Sequence, residues 1–255
     1  MTTEKHFSAL VLAAGLGTRM KSSKAKVLHE VLNKPMILHV MDTIKKLSLD
    51  FTYVIVGHQR EKVAELLSGY QAGCIVQKEQ LGTGHAVLCA EKELAGTSGS
   101  VLILSGDVPL IRAKTLKAML ADHSRNKPVL TLMTTTMNDP TNYGRIVRNS
   151  QGGLLGIVEE KDATDEQKKI REINAGIYCV DISFLFKALK NIGTDNKQGE
   201  MYLTDIVKIA IDAGLQVDTF SGASSEEVLG INSREELARA NEYLKQLKNK
   251  QQNKT

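Results

Sequence analysis

The chain predicts an α/β fold, a mixed, mostly parallel sheet flanked by helices. Two observations predict it. Through the first 140 residues, short and nearly continuous apolar runs alternate with helical patterns. Strands of that kind are buried on both faces by the helices that connect them. After residue 140 the strand-like runs follow one another with few helices between, which suggests an antiparallel or mixed extension of the same sheet.

The strand-like runs are Ala9–Ala14, Thr52–Val56, Cys74–Gln77, Val101–Leu104 and Val129–Thr134. Helical patterns lie near 36–48, 60–68, 84–94 and 113–123. Pro35 stands where a first helical turn tolerates its missing N–H. Gly69 ends the second pattern as a C′ glycine would. Further on, Arg145–Arg148, Leu154–Glu159 and Ile173–Val180 read as strands, and helical patterns return at 182–190, 203–213 and 233–249.

Bulk properties narrow the function classes. At 255 residues and 42% apolar, the chain can bury one large α/β core or two small ones. It shows no internal repeat and no Pro/Ser-rich linker, so one domain is expected. The 33 Lys and Arg barely exceed the 29 Asp and Glu, and aromatics are 4%. A nucleic-acid partner would need a concentrated basic stripe with stacking rings, so none is expected. The apolar run Ala9–Ala14 is too short for a membrane span or a secretory segment, and no membrane partner is expected. Cys74, Cys89 and Cys179 are odd in number and form no C-x-x-C pair. They read as buried free thiols of a reducing compartment, which implies a cytoplasmic protein. The acid-free run Lys245–Lys254 reads as a solvated terminus, with an interaction tail as the alternative.

The most informative segment follows the first strand. Leu12-Ala-Ala-Gly-Leu-Gly-Thr-Arg-Met20 runs into Lys21, Lys24 and Lys26. Gly15 and Gly17 let main-chain N–H groups approach an anion with no Cβ in the way. Thr18, Arg19 and Lys26 add hydroxyl and positive charge for phosphates. The segment is neither a Gly-x-Gly-x-x-Gly dinucleotide fingerprint, since Met20 fills the third place, nor a P-loop. An ordinary βα turn with exposed lysines is the alternative. Gln77-Lys-Glu-Gln80-Leu-Gly82-Thr83 brings two amides and a glycine before a helix. Each amide offers a donor and an acceptor, as a pyrimidine edge requires; a plain helix entry capped by Thr83 is the competing reading. Asp107 ends the run Val-Leu-Ile-Leu-Ser-Gly and is a natural Mg²⁺ ligand beside phosphates, or a turn aspartate before Pro109. Asn232 is a second oxygen donor, or an N-cap. The six histidines show no metal-ligand spacing and read as structural or exposed. No Ser/His/Asp or Cys/His order stands out.

Leu12–Met20 with Lys26-Val-Leu-His29 resembles the signature of sugar-nucleotide pyrophosphorylases, and most closely their bacterial N-acetylglucosamine-1-phosphate uridyltransferase domains. The resemblance continues through Gln80–Ala86, Gly106–Ile111, Tyr143–Ile146, Val158–Glu159 with Lys161–Ala163, Glu172–Gly176, Glu200–Asp205 and Gly230–Arg234. It implies a Rossmann-like fold of the nucleotide-diphospho-sugar transferase type, with a nucleotide-binding lobe at 1–140, a sugar-binding lobe at 141–235 and a C-terminal helix with basic tail at 236–255. It implies transfer of a uridylyl group from UTP to N-acetylglucosamine 1-phosphate with Mg²⁺, toward cell-envelope precursors. Arg19 and Lys26 would be catalytic. Leu12, Ala13, Ala14, Gly15, Gly17, Thr18, Gln77, Gln80, Gly82 and Thr83 would hold the nucleotide. Asp107, Gly144, Glu159, Asn174, Tyr202, Thr204 and Asn232 would hold the sugar phosphate, with Asp107 and Asn232 on the metal. Three positions depart from the family: Ala25 stands where proline usually precedes the lysine, Ser105 where tyrosine precedes Gly-Asp, and Ala175 where threonine follows Asn174. No hexapeptide repeats of a left-handed β-helix are present, so a monomer or weak homo-oligomer is expected. The alternatives are a pyrophosphorylase for another hexose 1-phosphate or nucleotide, or a non-catalytic sugar-nucleotide sensor.

Overall fold

The computed structural model describes residues 6–94 and 96–252. The chain enters through β1 (Phe7–Ala13), followed by two 3₁₀ turns at Thr18–Met20 and Lys26–Leu28. A hairpin of β2 (Glu30–Val31) and β3 (Lys34–Pro35) leads to α1 (Met36–Ile44). Next come β4 (Phe51–Val56), α2 (Arg60–Leu66), β5 (Gly73–Val76), α3 (Thr83–Leu88) and α4 (Glu91–Leu94). β6 (Ser100–Ser105), α5 (Ala113–Asn126) and β7 (Leu130–Thr136) complete the first part. The rest is β8 (Arg145–Arg148), β9 (Leu154–Val158), α6 (Asp165–Lys168), β10 (Glu172–Asp181), α7 (Ile182–Leu189), α8 (Asp205–Asp212), β11 (Val217–Phe220) and α9 (Arg234–Gln252).

The main sheet runs β11-β7-β10-β6-β1-β4-β5, with the β8–β9 hairpin attached to β10. β5, β4, β1 and β6 are mutually parallel, and β11 is parallel to β7. β10 runs antiparallel to both neighbours, so the expected mixed, mostly parallel sheet is what forms. Its faces are covered as the apolar runs require. Ala9, Val11 and Ala13 of β1 pack with Ile37 and Val40 of α1 and with Leu116 and Met119 of α5. Leu10, one residue out of phase, packs the other way against Val87, Leu185 and Ile206 of α3, α7 and α8. That is the period-two alternation of a strand buried on both sides.

β10 has a consequence for the site. It pairs with β6 only through Tyr178–Asp181, whereas Glu172–Asn174 pair with β7 and not with β6, and the register shifts between Asn174 and Tyr178. The first half of β10 therefore extends past the carboxyl end of β6, and the β8–β9 hairpin adds to that overhang through Arg145 and Ile173.

Several local expectations are corrected. Pro35 is not in the first turn of α1; it precedes the helix at φ −50, ψ 138 and pairs with Glu30. Gly69 lies beyond α2 without a left-handed φ, and Leu67 is the C-cap. Gly82, not Thr83, is the N-cap of α3. The third helical pattern breaks into two helices, and α5 continues to Asn126. Cys179 is buried but Cys74 is exposed and Cys89 half-buried, because Cys74 sits on the edge strand β5. The run from Lys245 is helical to Gln252, with Lys245 and Lys248 exposed; Lys254 lies outside the described residues. No described helix is long and apolar enough to cross a membrane.

Candidate active site

The carboxyl ends of β1, β5 and β6 open onto one cleft, where ligands of open α/β sheets bind. The β1 end supplies Leu12 to Thr18, β5 is followed by Gln77, and β6 by Ser105 and Asp107. Together with Lys26, Gln80, Gly82 and Thr83 these residues line a cavity of about 440 Å³. A second cavity of about 200 Å³ is lined by Tyr143, Gly144, Glu159, Asn174, Ala175 and Thr204. The two share Leu12, Thr83, Ser105 and Asp107, so they are adjoining halves of one cleft.

Lys26 lines the larger half and meets Asp107, which lines both. Its side chain is 16% exposed, and the ammonium is ion-paired to the Asp107 carboxylate and donates to Asn232 Oδ1. Three residues from β1's loop, β6's end and the segment before α9 thus meet at one nitrogen. Gly17 makes this approach possible. It sits at φ +64, and a Cβ there would lie 2.6 Å from Lys26 Cβ. Gly15 has open space around its Cβ position, which leaves its backbone accessible from the cleft. Arg19 is exposed on the 3₁₀ turn, outside the lining of either cavity.

Asn232 is free to point at Lys26 because α9 is capped by others. Ser233 Oγ accepts from the Glu236 N–H, and Glu236 accepts from the Asn232 and Ser233 amides, a reciprocal capping box. Asn232 Nδ2 donates to Gly230 O. The Ile231 N–H donates to Asp107 O at 3.0 Å, which fixes this segment against the end of β6. One carboxylate and one amide oxygen converging on a cation suit Mg²⁺, which takes few protein ligands and keeps waters and phosphates. Among the described residues, no cluster of three or more His, Cys, Asp or Glu is arranged for a metal.

The larger half is stitched to the smaller by the residues around Gly82. The Gly84 N–H donates to Met201 O at 2.8 Å, the Met201 N–H to Leu81 O at 2.9 Å, and the Leu203 N–H to Thr83 Oγ1 at 3.0 Å. Gln77 is buried, and its Nε2 lies 3.3 Å from Gly82 O and 3.0 Å from His85 Nδ1. Its donor end is therefore spent within the protein, narrower than the donor-and-acceptor role read from the sequence. Gln80 is exposed at the rim.

In the smaller half, Gly144, Glu159, Asn174 and Thr204 come together. A Cβ on Gly144 would lie 2.9 Å from Ile157 Cγ2, so glycine lets Ile157 pack against the backbone, with the Glu159 carboxylate alongside. Thr204 Oγ1 donates to Glu159 Oε1 at 3.0 Å. Burial, then the charges of Asp205, Asp162 and Glu200, push the Glu159 carboxyl up against the Thr204 bond that lowers it. Asn174 donates to Tyr178 Oη at 2.6 Å and accepts from the Gly176 N–H, which anchors the carboxamide in the wall. Tyr202 is not in this half. It lines the neighbouring cavity with Asp162, which accepts from its hydroxyl at 3.1 Å.

The structure adds residues that sequence reasoning left without a role. Tyr143 lines the small cavity, and its hydroxyl accepts from the Gly230 N–H at 3.2 Å; burial raises its pKa. Arg145 is buried with its guanidinium on Tyr143 O and on Glu160 Oε2 at 2.5 Å, tying the two edges of the β8–β9 hairpin. Glu200 borders the larger half. The motifs around Tyr143 and Glu200 carried the only sequence signal for them.

Comparison with known proteins places the chain in a family. The nucleotidyl transferase family model matches residues 8–225. The chain is 48% identical over 98% of its length to a bifunctional protein GlmU of Desulfotalea psychrophila, covering 74% of that protein. It is 50% identical to the one of Listeria innocua and 48% to that of Geobacter sulfurreducens, in each case over 92% of this chain but only 51% and 50% of the relative. The chain thus spans about half the length of the latter two. A solved structure of UDP-glucose pyrophosphorylase complexed with UDP-glucose superposes with a TM-score of 0.76 over 94% of this chain and 99% of that one, at 17% identity, a likeness of fold. The chain belongs to the nucleotidyl transferase family and, within it, groups with these GlmU proteins.

Proposed function

We propose that the cleft transfers a uridylyl group from UTP to N-acetylglucosamine 1-phosphate, releasing UDP-N-acetylglucosamine and pyrophosphate. The observation that carries this reading is Lys26, held by Asp107 and Asn232 where a nucleotide-sized cavity adjoins a smaller one. An α-phosphorus at that border lies between a triphosphate on one side and an attacking sugar phosphate on the other. Such a displacement needs alignment and charge neutralisation more than a protein nucleophile.

Uracil stacks into the space beside Ala13 and Ala14. Gln77, with its donor end spent, presents its oxygen to the uracil N3–H, while Gln80 and the Gly82 backbone meet the remaining edge. Leu12, Gly15, Gly17, Thr18 and Thr83 complete the nucleotide contacts. Lys26 and the exposed Arg19 neutralise the phosphates. Asp107 and Asn232 would hold Mg²⁺, which would supply further charge neutralisation for the phosphates. Gly144, Glu159, Asn174 and Thr204 receive the amino sugar, with the Glu159 carboxylate accepting from sugar hydroxyls; Tyr202 acts from behind this wall. Ser105 lines both halves and Ala175 the smaller one. Their small side chains favour one further reading, a different hexose 1-phosphate.

Pyrophosphate release, measured over a panel of nucleotides and hexose 1-phosphates with and without Mg²⁺, tests the proposal. The expected result is highest kcat/KM for UTP with N-acetylglucosamine 1-phosphate and none without the metal. A preference for glucose 1-phosphate would overturn the sugar assignment, and no turnover with any pair would favour a binding protein.

A further inference from the structure

Lys26 is preceded by Ala25, a residue with two free backbone torsions and only 1% exposure. Something must fix that backbone if the ammonium is to be placed reproducibly. Ala25 sits at φ −55, ψ 140, within the range a proline ring would impose. Unlike proline it carries an N–H, and at this burial water does not reach it. That N–H donates to Gln59 Oε1 at 2.9 Å. The other end of the same carboxamide, Gln59 Nε2, donates to Ser23 O at 3.2 Å. One side chain therefore clamps the backbone on both sides of Lys24, pairing with it as an edge strand would.

Gln59 reaches this position from a left-handed backbone, φ 55 and ψ 35, just ahead of α2. That region is disfavoured for a side-chain-bearing residue and persists where surrounding contacts over-determine it. The neighbours take part. His58 Nε2 lies 3.1 Å from the same Ser23 O. Gly57 lies so close to Ala14 that a Cβ would fall 2.8 Å from the Ala14 carbonyl oxygen. The turn after β4 thus braces the first loop at two places, the nucleotide wall at Ala14 and the approach to Lys26.

We infer that Gln59 is a positioning residue for Lys26, holding by a two-point amide clamp the backbone that proline would otherwise stiffen. This rests on the catalytic role proposed for Lys26. It makes an unusual genetic prediction. Ala25→Pro in the wild-type background removes the donated N–H and places ring carbon against Gln59 Oε1, so it impairs the enzyme. In a Gln59→Ala background the same proline meets no oxygen and supplies the missing stiffness, so it restores activity.

The test is a four-protein cycle of wild type, Gln59→Ala, Ala25→Pro and the double variant. It is scored by kcat, KM for UTP, thermal midpoint, and deuterium uptake of the segment spanning 22–28. Gln59→Ala is expected to lower kcat by about tenfold or more while KM moves less than about threefold, since a displaced catalytic group costs rate before binding. Deuterium uptake of the segment should rise in that variant, and the double variant should recover most of the lost kcat. A merely structural glutamine would lower the thermal midpoint without this rescue. Wild-type kcat in Gln59→Ala, or a double variant as slow as Gln59→Ala, would overturn the inference. Should the wild-type protein itself not turn over these substrates, the functional reading fails separately. The clamp is then judged on uptake, where unchanged protection in Gln59→Ala rejects it.

Discussion

Gly82→Ala is the sharpest perturbation of how the two halves of the cleft are joined. Gly82 sits at φ +110, ψ 175, a region essentially reserved for glycine, where a side-chain-bearing residue costs about 1–3 kcal/mol. The added Cβ would lie 2.5 Å from Met201 O and 2.8 Å from Met201 N. Both are backbone atoms, so no rotamer change relieves the contact. The segment at 201 must retreat, taking with it the Gly84–Met201 and Met201–Leu81 hydrogen bonds, worth about 1 kcal/mol each. The expected loss is about 3–5 kcal/mol, a large part of the ~5–15 kcal/mol that holds a typical domain. Gly84→Ala is the internal control. Its Cβ would lie 3.0 Å from the same oxygen, but within α3 and without a positive φ, so the cost should be smaller by the strain, ~1–3 kcal/mol. Urea unfolding measures both, and calorimetric UTP titration of whatever folds should show weaker binding in Gly82→Ala. A loss below about 1 kcal/mol, or equal losses at the two glycines, would refute the reasoning.

Lys26→Ala should lower kcat by about 10²–10³-fold, the cost of removing one preorganised charge from a transition state, with UTP binding changed far less; single-turnover pyrophosphate release checks it, and wild-type turnover would reject the assignment. Asp107→Asn should raise the half-saturating Mg²⁺ concentration by about tenfold or more, read from metal titration of initial rates. Glu159 gives a pH prediction. Burial raises its folded-state pKa above the ordinary 4.5, so the native protein holds a proton that the unfolded chain releases, and stability falls as pH rises from 4.5 through the raised value. Glu159→Gln should therefore melt higher than wild type near neutral pH and lose that advantage below pH 4.5, while its KM for the sugar phosphate rises.

The strands that carry the cleft were legible because burial on both faces writes itself as uninterrupted apolar sequence. β1 and β6 are recoverable from Leu10–Leu12 and Val101–Leu104 for that reason. β11 was not read, because Val217–Phe220 is a short edge strand with half-buried side chains. The β2–β3 hairpin was hidden by its turn, where Leu32 and Asn33 take φ 48 and 62; leucine is no turn signal. At the site, Lys26 announces itself as a cation after a glycine loop. Its partners Asp107 and Asn232 are 81 and 206 positions away, and each alone reads as a turn or cap residue. Only the fold, or the resemblance of whole motifs, brings them together. Gln59 carried no signal, since a glutamine at a helix entry is unremarkable until its side chain is seen against Ser23 and Ala25.

The Lys26–Asp107 pair also bears on how nucleotide and metal would bind under the proposed reading. Each side chain is about one-seventh exposed, at 16% and 14%, so each ion has lost most of its water. The pair offsets that desolvation while the cleft is empty, and removing either partner leaves a poorly solvated charge. A triphosphate that draws the ammonium away from Asp107 exposes the carboxylate to the same cost, unless a cation replaces the lysine there. On the proposed reading, nucleotide and Mg²⁺ binding are therefore mutually favourable, each lowering the penalty of the other. In Lys26→Ala the part of that coupling that comes from displacing the ammonium should disappear. With no ammonium to displace, the divalent cation should bind the nucleotide-free protein more tightly than it binds wild type, even as turnover falls.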